Sequence, residues 1–301
     1  MTGYRLLVNP VCGGGKGAVA AAESVARALR NAGHDVTITL TPGVRGTHDL
    51  VDEAAARGDV IVLVGGDGTL SSVAGQVAAR GGTLGIVPAG RGNDFARMLG
   101  LPLAPAAAAE VLLSGSPKTV DLLQVTIPGG DRRVIAGSAY SGLDARAGEI
   151  VQTVRWMPVK LQYPYSALHA MATYRPARFR VAVDGDAAEY VGASVVVANS
   201  AYYGNGMKIA PGAVVDDGLL DVVIIEAESR RTLMRSLPKV YQGAHVHLPG
   251  VHVRRGRRVE VTASPRASMG GDGEPVGRLP GLAEPPAVVE VLPEALAVLL
   301  G

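Results

Sequence analysis

Aromatic residues are scarce in this 301-residue chain, which has two phenylalanines, one tryptophan and nine tyrosines. Stacking platforms for single-stranded nucleic acid need more rings than that. A formal net charge of +2 also supplies no broad basic surface for a polyanion. Nucleic acid is therefore excluded as a partner. Cysteine is nearly absent: Cys12 stands alone, so no internal disulfide can form and a reducing compartment suits the chain. In its glycine-rich loop Cys12 reads as a small filler rather than a reactive thiol. No early segment joins a charged start, an apolar stretch and a cleavage site, and no apolar run reaches the ~18 residues of a membrane span. A cytoplasmic protein is expected.

What the chain does have is alanine, valine, leucine and glycine, with 48% apolar residues, enough for a sizeable core. The sharpest feature is Gly65-Gly66-Asp67-Gly68-Thr69, which follows the apolar run 60–64. That run is rich in β-branched residues and predicts a buried strand. Two glycines let the backbone turn sharply and approach a ligand. Asp67 falls where the strand stops and a helix over 69–80 starts, a place that suits phosphate. A carboxylate there is electrostatically awkward unless a cation or a proton transfer requires it. The alternative is a tight turn with Asp67 as a helix cap.

The pattern predicts strands over 4–8, 36–40, 60–64 and 84–87, with helices over 18–31, 46–57, 69–80, 94–99 and 104–113. Such alternation implies a parallel sheet covered on both faces, with ligands beyond the carboxyl ends of its strands. Three glycine-rich turns, at 12–17, 65–68 and 90–92, fall at such ends. After about residue 120 strands dominate: 120–127, 133–140, 179–183, 193–198, 219–225, 251–253 and 258–262. Helices are expected over 160–174 and 230–237 only. The fold class is α/β: an N-terminal doubly wound parallel-sheet domain over 1–124, then a mainly antiparallel β-sandwich over 125–287. A tail over 288–301, a strand followed by a short helix, is expected to pack back on the first domain.

In the first loop, Asn9-Pro10-Val11-Cys12-Gly13-Gly14-Gly15-Lys16, successive N–H groups can form an anion nest with Lys16 as counter-charge. It departs from P-loop spacing and equally suits a plain β-to-α connection. In the third loop, Gly90-Arg91-Gly92-Asn93-Asp94, the Gly90–Asn93 stretch lines a cleft or Asn93 or Asp94 caps the next helix. His245 and His247 have the spacing of one strand face, but exposed loop histidines explain them more simply than a metal site. Arg254, Arg255, Arg257 and Arg258 form either a patch for anionic lipid heads or a solvated edge strand. Trp156 and Met157 border a lipid entrance or pack in the core.

Together these segments resemble the diacylglycerol kinase catalytic-domain family of lipid kinases. The resemblance rests on NPVCGGGKG, VGGDGTLSSVAG, GIVPAGRGNDFARMLGLP, NSAYYGNGMKIAPGAVVDDGLLDVVII and GGDGEPV, met in order along nearly the whole chain. It is weakest at 128–178 and 227–262. The resemblance implies transfer of the γ-phosphate of ATP to a lipid hydroxyl with Mg2+. Its partners are then a lipid alcohol and the inner face of the membrane, touched peripherally, with a homodimer possible. Carried over by position, Asn9, Lys16, Thr41 and Gly65, Gly66, Asp67, Gly68 and Thr69 lie along the ATP site, and Asp67 enters the magnesium and phosphate network. Pro10, Gly13, Arg91 and Asn93 belong to the same loops. The base lies in the GDGE segment: of Asp272 and Glu274, one accepts the hydroxyl proton while the other helps hold a metal water. The family also implies a structural magnesium held by the Asp217 carboxylate and the carbonyls of Val214 and Leu219, where a turn before a strand is the plain alternative.

Two positions depart from the family pattern. Arg91 stands where Thr or Ser is usual, and Ser71 where Asn is usual. Arginine adds fixed charge at the mouth of the nucleotide site. Two other functions stay open: a small-molecule kinase akin to NAD kinases, which share the GGDG turn, and a non-catalytic nucleotide or lipid sensor.

Overall fold

The structure is a computed structural model that describes residues 3–10, 12, 16–41, 44–90, 92–154 and 156–301. The first third alternates β1 (Gly3–Val8), α1 (Lys16–Asn31), β2 (Asp35–Leu40), α2 (Val44–Ala56), β3 (Val60–Gly65), α3 (Asp67–Ala79), β4 (Thr83–Pro88), α4 (Asp94–Met98) and α5 (Pro105–Ser114). The four strands run parallel in the order β2-β1-β3-β4. Side chains alternate across a strand, so β3 feeds two cores. Ile61 and Leu63 meet α2 and α3 through Val51, Leu70 and Val73, whereas Val62 and Val64 meet α1 and α5 through Ala22, Val25 and Leu112. Burial on both faces explains why this strand is an unbroken apolar run.

The remainder is antiparallel apart from a short parallel pairing of its last strand with β4: β5 (Ser116–Thr126), β6 (Arg132–Ile135), β7 (Ser138–Gly142), then α6 (Leu143–Thr153) and α7 (Val159–Thr173), followed by β8 (Ala177–Val183), β9 (Asp186–Ala198) and β10 (Leu220–Glu226). After these come α8 (Arg230–Gln242), β11 (Val251–Gly256), β12 (Arg258–Ser264), β13 (Ser268–Gly271), β14 (Glu274–Arg278) and β15 (Ala287–Leu300). Phe179, Leu220, Ile224 and Val289 sit at the centre of its core, fully buried.

Three expectations are corrected. The tail is strand to its end, because residues 296–300 pair with β5 from Leu296↔Val120 to Leu300↔Ser116. The register slips between Leu292 and Leu296, where Glu294 takes the left-handed φ of 51°. Pairing with two neighbours overrides the helical look of an Ala-Leu stretch. The strand expected over 133–140 is broken at Ala136 and Gly137 into β6 and β7, and α6 follows at once where no helix was expected. His245 is buried rather than exposed: it lies in a 3-10 turn (Ala244–His247) with its Nε2 3.0 Å from the Ile209 carbonyl. Three side chains of the arginine cluster are already paired. Arg254 meets Asp186 at 2.6 Å, Arg258 meets Glu290 at 2.5 Å, and Arg255 bridges Asp217 and Asp221. Among the described residues β11 pairs with β10 alone, which fits the solvated-edge reading.

Asp121, fully buried on β5, ties distant segments together. Its two carboxylate oxygens accept from Gly218 N at 2.7 Å and Glu294 N at 2.8 Å, and its carbonyl accepts from Asn199 Nδ2 at 2.7 Å. Asp121→Ala removes the acceptors of two part-buried N–H donors and is expected to cost about 2 kcal/mol. Urea unfolding reads this as a lower midpoint at unchanged slope, and a wild-type midpoint would refute this role for Asp121.

Candidate functional site

The loops leaving β1, β3 and β4 emerge at one edge of the parallel sheet and are laced together. Asn9 N donates to Val64 O at 3.1 Å, and Asn9 Nδ2 donates to Thr69 Oγ1 at 2.8 Å. Ala89 N donates to Gly65 O at 2.8 Å, and Thr41 N to Val8 O at 2.8 Å. Gly66 and Gly90 pack backbone on backbone: a Cβ on Gly66 would lie 2.9 Å from Gly90 Cα, and one on Gly90 2.4 Å from Gly66 Cα. No side chain fits between these loops.

The loops floor a cleft of about 2000 Å³ that runs on into the second half of the molecule. Asn9, Pro10, Thr41, Gly66, Asp67, Gly68 and Thr69 line it from one side, and Asp272 and Glu274 from the other. Gly65 lies buried beneath it. Asn93 turns its side chain into its own loop instead, bonding Gly90 N at 2.9 Å and Gly90 O at 3.1 Å. Gly13, Arg91 and the Lys16 side chain lie outside the described residues. Val214, Asp217 and Leu219 sit before β10, apart from the cleft lining. There Asp217 Oδ1 accepts from Leu219 N at 3.0 Å and Oδ2 pairs with Arg255.

Three carboxylates define the electrostatics of the seam. Asp67 does not cap its own helix: Gly66 holds that position without a side-chain bond, and Asp67 Oδ1 instead accepts from Phe95 N at 3.2 Å at the start of α4. Burial raises its pKa, against the lowering pull of the N–H groups of Phe95, Asp94 and Asn93. Asp94, buried, accepts from Asn205 N at 2.8 Å and Gly206 N at 2.7 Å. Burial raises its pKa too, and the Asp67 charge adds to the rise.

Asp272 takes the unusual φ of 44° and points its carboxylate at the β6–β7 break. Oδ2 accepts from Ala136 N and Gly137 N at 3.0 Å each, and Oδ1 from Ser138 N at 2.8 Å. Desolvation pushes its pKa up to about 6 although these N–H groups pull it down, and Asp67 contributes to the rise. Among the described residues no ion pair reaches any of the three, and no three His, Cys, Asp or Glu side chains converge as a complete metal cage. The seam therefore concentrates negative charge that a bound cation would relieve.

The cleft also has apolar walls, with Met171, Leu233 and Val240 among them. Gly273 N donates to the Tyr140 hydroxyl at 2.9 Å, the Tyr140 and Tyr203 rings meet edge to face at 5.9 Å, and the Tyr203 hydroxyl donates to Asp144 at 2.8 Å. Sequence reasoning missed the roles of Asp94, Asp144 and the 136–138 backbone. Gly137 inside an otherwise apolar strand run was the available signal for the last of these, since such a glycine marks a bulge or close approach.

Residues 3–125 match the diacylglycerol kinase catalytic domain, and residues 137–300 match the YegS C-terminal NAD kinase beta sandwich-like domain. A diacylglycerol kinase of Mycobacterium tuberculosis is 34% identical over 298 residues, covering 97% of this chain and 93% of that one. A probable lipid kinase YegS-like protein of Pseudomonas fluorescens is 32% identical over 260 residues, with 84% of each covered. A crystal structure of a diacylglycerol kinase from Bacillus anthracis shares the fold at a TM-score of 0.72 and 20% identity, covering 100% of this chain and 97% of that one. This chain belongs to the diacylglycerol kinase family of lipid kinases, phosphotransferases with an alcohol group as acceptor.

Proposed function

We propose that the cleft transfers the γ-phosphoryl group of ATP to the hydroxyl of a membrane lipid, diacylglycerol being the acceptor named for several relatives. The observation that carries this reading is that Asp272 lines one cleft together with the glycine-rich loops and with apolar side chains of α7 and α8.

In this reading the triphosphate lies over the uncapped N-terminus of α3, where backbone N–H groups and the helix dipole favour anions. Asn9 and Thr69 hold each other and fix the loop geometry. The lipid hydroxyl approaches from the apolar side. Asp272 accepts its proton as the oxygen attacks phosphorus, and a pKa near 6 suits a base working at neutral pH. Glu274, exposed at the rim, serves less directly. The peripheral contact expected with the membrane follows from an acceptor that resides in a bilayer.

The seam suits magnesium. Asp67, half-buried, and Asp94, buried, are carboxylates short of positive charge, and magnesium is commonly held by one or two carboxylates completed by phosphate oxygens and water. When bound, the ion would neutralise charge developing on the phosphates. The 214–219 segment suits it less well. Both oxygens of Asp217 are engaged, and the Arg255 guanidinium already supplies the positive charge there.

Asp272→Asn is expected to lower kcat by roughly a hundredfold or more with thermal unfolding little changed, measured as ADP release with diacylglycerol in mixed micelles. Retention of near-normal turnover would reject Asp272 as the base. Ionised Asp272 is the active form, so kcat/KM should fall about tenfold per pH unit below about 6 and level off above it. Glu274→Gln should keep that profile. Gly66→Ala forces a methyl against Gly90 and is expected to raise the KM for ATP roughly tenfold or more; an unchanged KM would remove this loop contact from the nucleotide site.

A further inference from the structure

The geometry points to a membrane-docking face formed by α7, α8 and the preceding Trp156, which seats the enzyme on an anionic bilayer with the acceptor half of the cleft against the lipid. The inference rests on the lipid-acceptor reading above and adds the surface and its partner.

Twelve large apolar side chains are exposed among the described residues, and six of them fall in this one region: Trp156, Leu161, Tyr165, Leu168, Met234 and Tyr241. Trp156 is 81% exposed and Leu168 55%. Such clustering marks an interaction site, whereas single exposed apolar residues are ordinary. α8 has no fully buried side chain: Val240 packs against the core beside Ile209, whereas Met234 and Tyr241 are exposed. Its charge is of one sign: Arg230, Arg231, Arg235 and Lys239, with no acidic residue on the helix and no ion pair to any of them among the described residues. Arg254 and Arg255 of β11, by contrast, are paired with Asp186 and with Asp217 and Asp221.

The inner sides of the same helices line the cleft, Ala167 and Met171 from α7, Leu233 and Val240 from α8. The exposed apolar surface is thus continuous with the pocket that receives an acyl chain. A basic, amphipathic helix beside an exposed tryptophan has the composition of an element lying in the membrane interface. Pairing of this face with a second copy would bring the like-charged α8 helices together, so an anionic bilayer is the fitting occupant.

The test is co-sedimentation of the full chain with vesicles of phosphatidylcholine alone or mixed equally with phosphatidylglycerol. Binding is expected to the mixed vesicles and to weaken with salt. The triple variant Trp156→Ala, Leu161→Ser, Leu168→Ser and the double variant Arg230→Glu, Arg231→Glu should each bind roughly tenfold or more weakly. Both should lose turnover of vesicle-embedded diacylglycerol in proportion, yet phosphorylate a short-chain, water-soluble diacylglycerol within about twofold of the parent. Vesicle binding that survives both sets of substitutions overturns the proposal. So does an equilibrium-sedimentation dimer that the triple variant abolishes, because the face is then a contact between copies. Absence of kinase activity in the parent counts against the phosphoryl-transfer reading alone, since vesicle binding is measured without turnover.

Discussion

Backbone N–H groups, not side-chain cations, hold the three acids at the seam. Asp67 takes its donor from α4, Asp94 from the 205–206 turn and Asp272 from the 136–138 break. Each bond joins segments far apart in sequence, so the cleft is held together by acids that line it. Peptide donors are fixed in direction and cannot be lost to solvent as a lysine can. They orient a carboxylate without neutralising it, and the negative charge remains available for a cation and a proton. A salt-bridged acid would have been quenched, as Asp217 and Asp221 are by Arg255.

The first third of the fold was legible because its signals are local. Buried parallel strands read as continuous apolar runs, and glycines punctuate their ends. The GGDG turn was read as a phosphate site and does line the cleft. The second half was harder. Gly137 and Ser138 look like ordinary members of a strand, and only Asp272, more than a hundred residues later, gives them their task. The short α6 is amphipathic but begins directly from β7, without a side-chain cap to announce it. The end of β15 has a helical composition, and its strand state comes from partners on β5 that periodicity does not encode.

Identity of residue did not reveal employment. Asp94 was read as a cap for the helix it begins, but its carboxylate leaves that helix and grips Asn205 and Gly206, both in the left-handed region with φ of 70° and 91°. Asp67, read in its plainer guise as the cap of α3, caps α4 instead. In both cases the local rule, that an acid suits a helix start, names the right chemistry and the wrong place: Asp67 serves the start of α4, and Asp94 serves a turn.

β15 has a bearing on how the molecule is made. Its last residues supply the neighbour of β4, at Ala297 and Val298, and the long partner of β5. On a ribosome, β1 to β5 therefore emerge with an open sheet edge that stays unpaired until about 170 further residues have been synthesised. Such an edge invites pairing with other nascent chains. Closure by the last strand is a non-local step with a high loop-closure cost. A truncation of a few residues at the carboxyl end would thus be felt first as poor yield during synthesis, in a region distant from the reaction it disables.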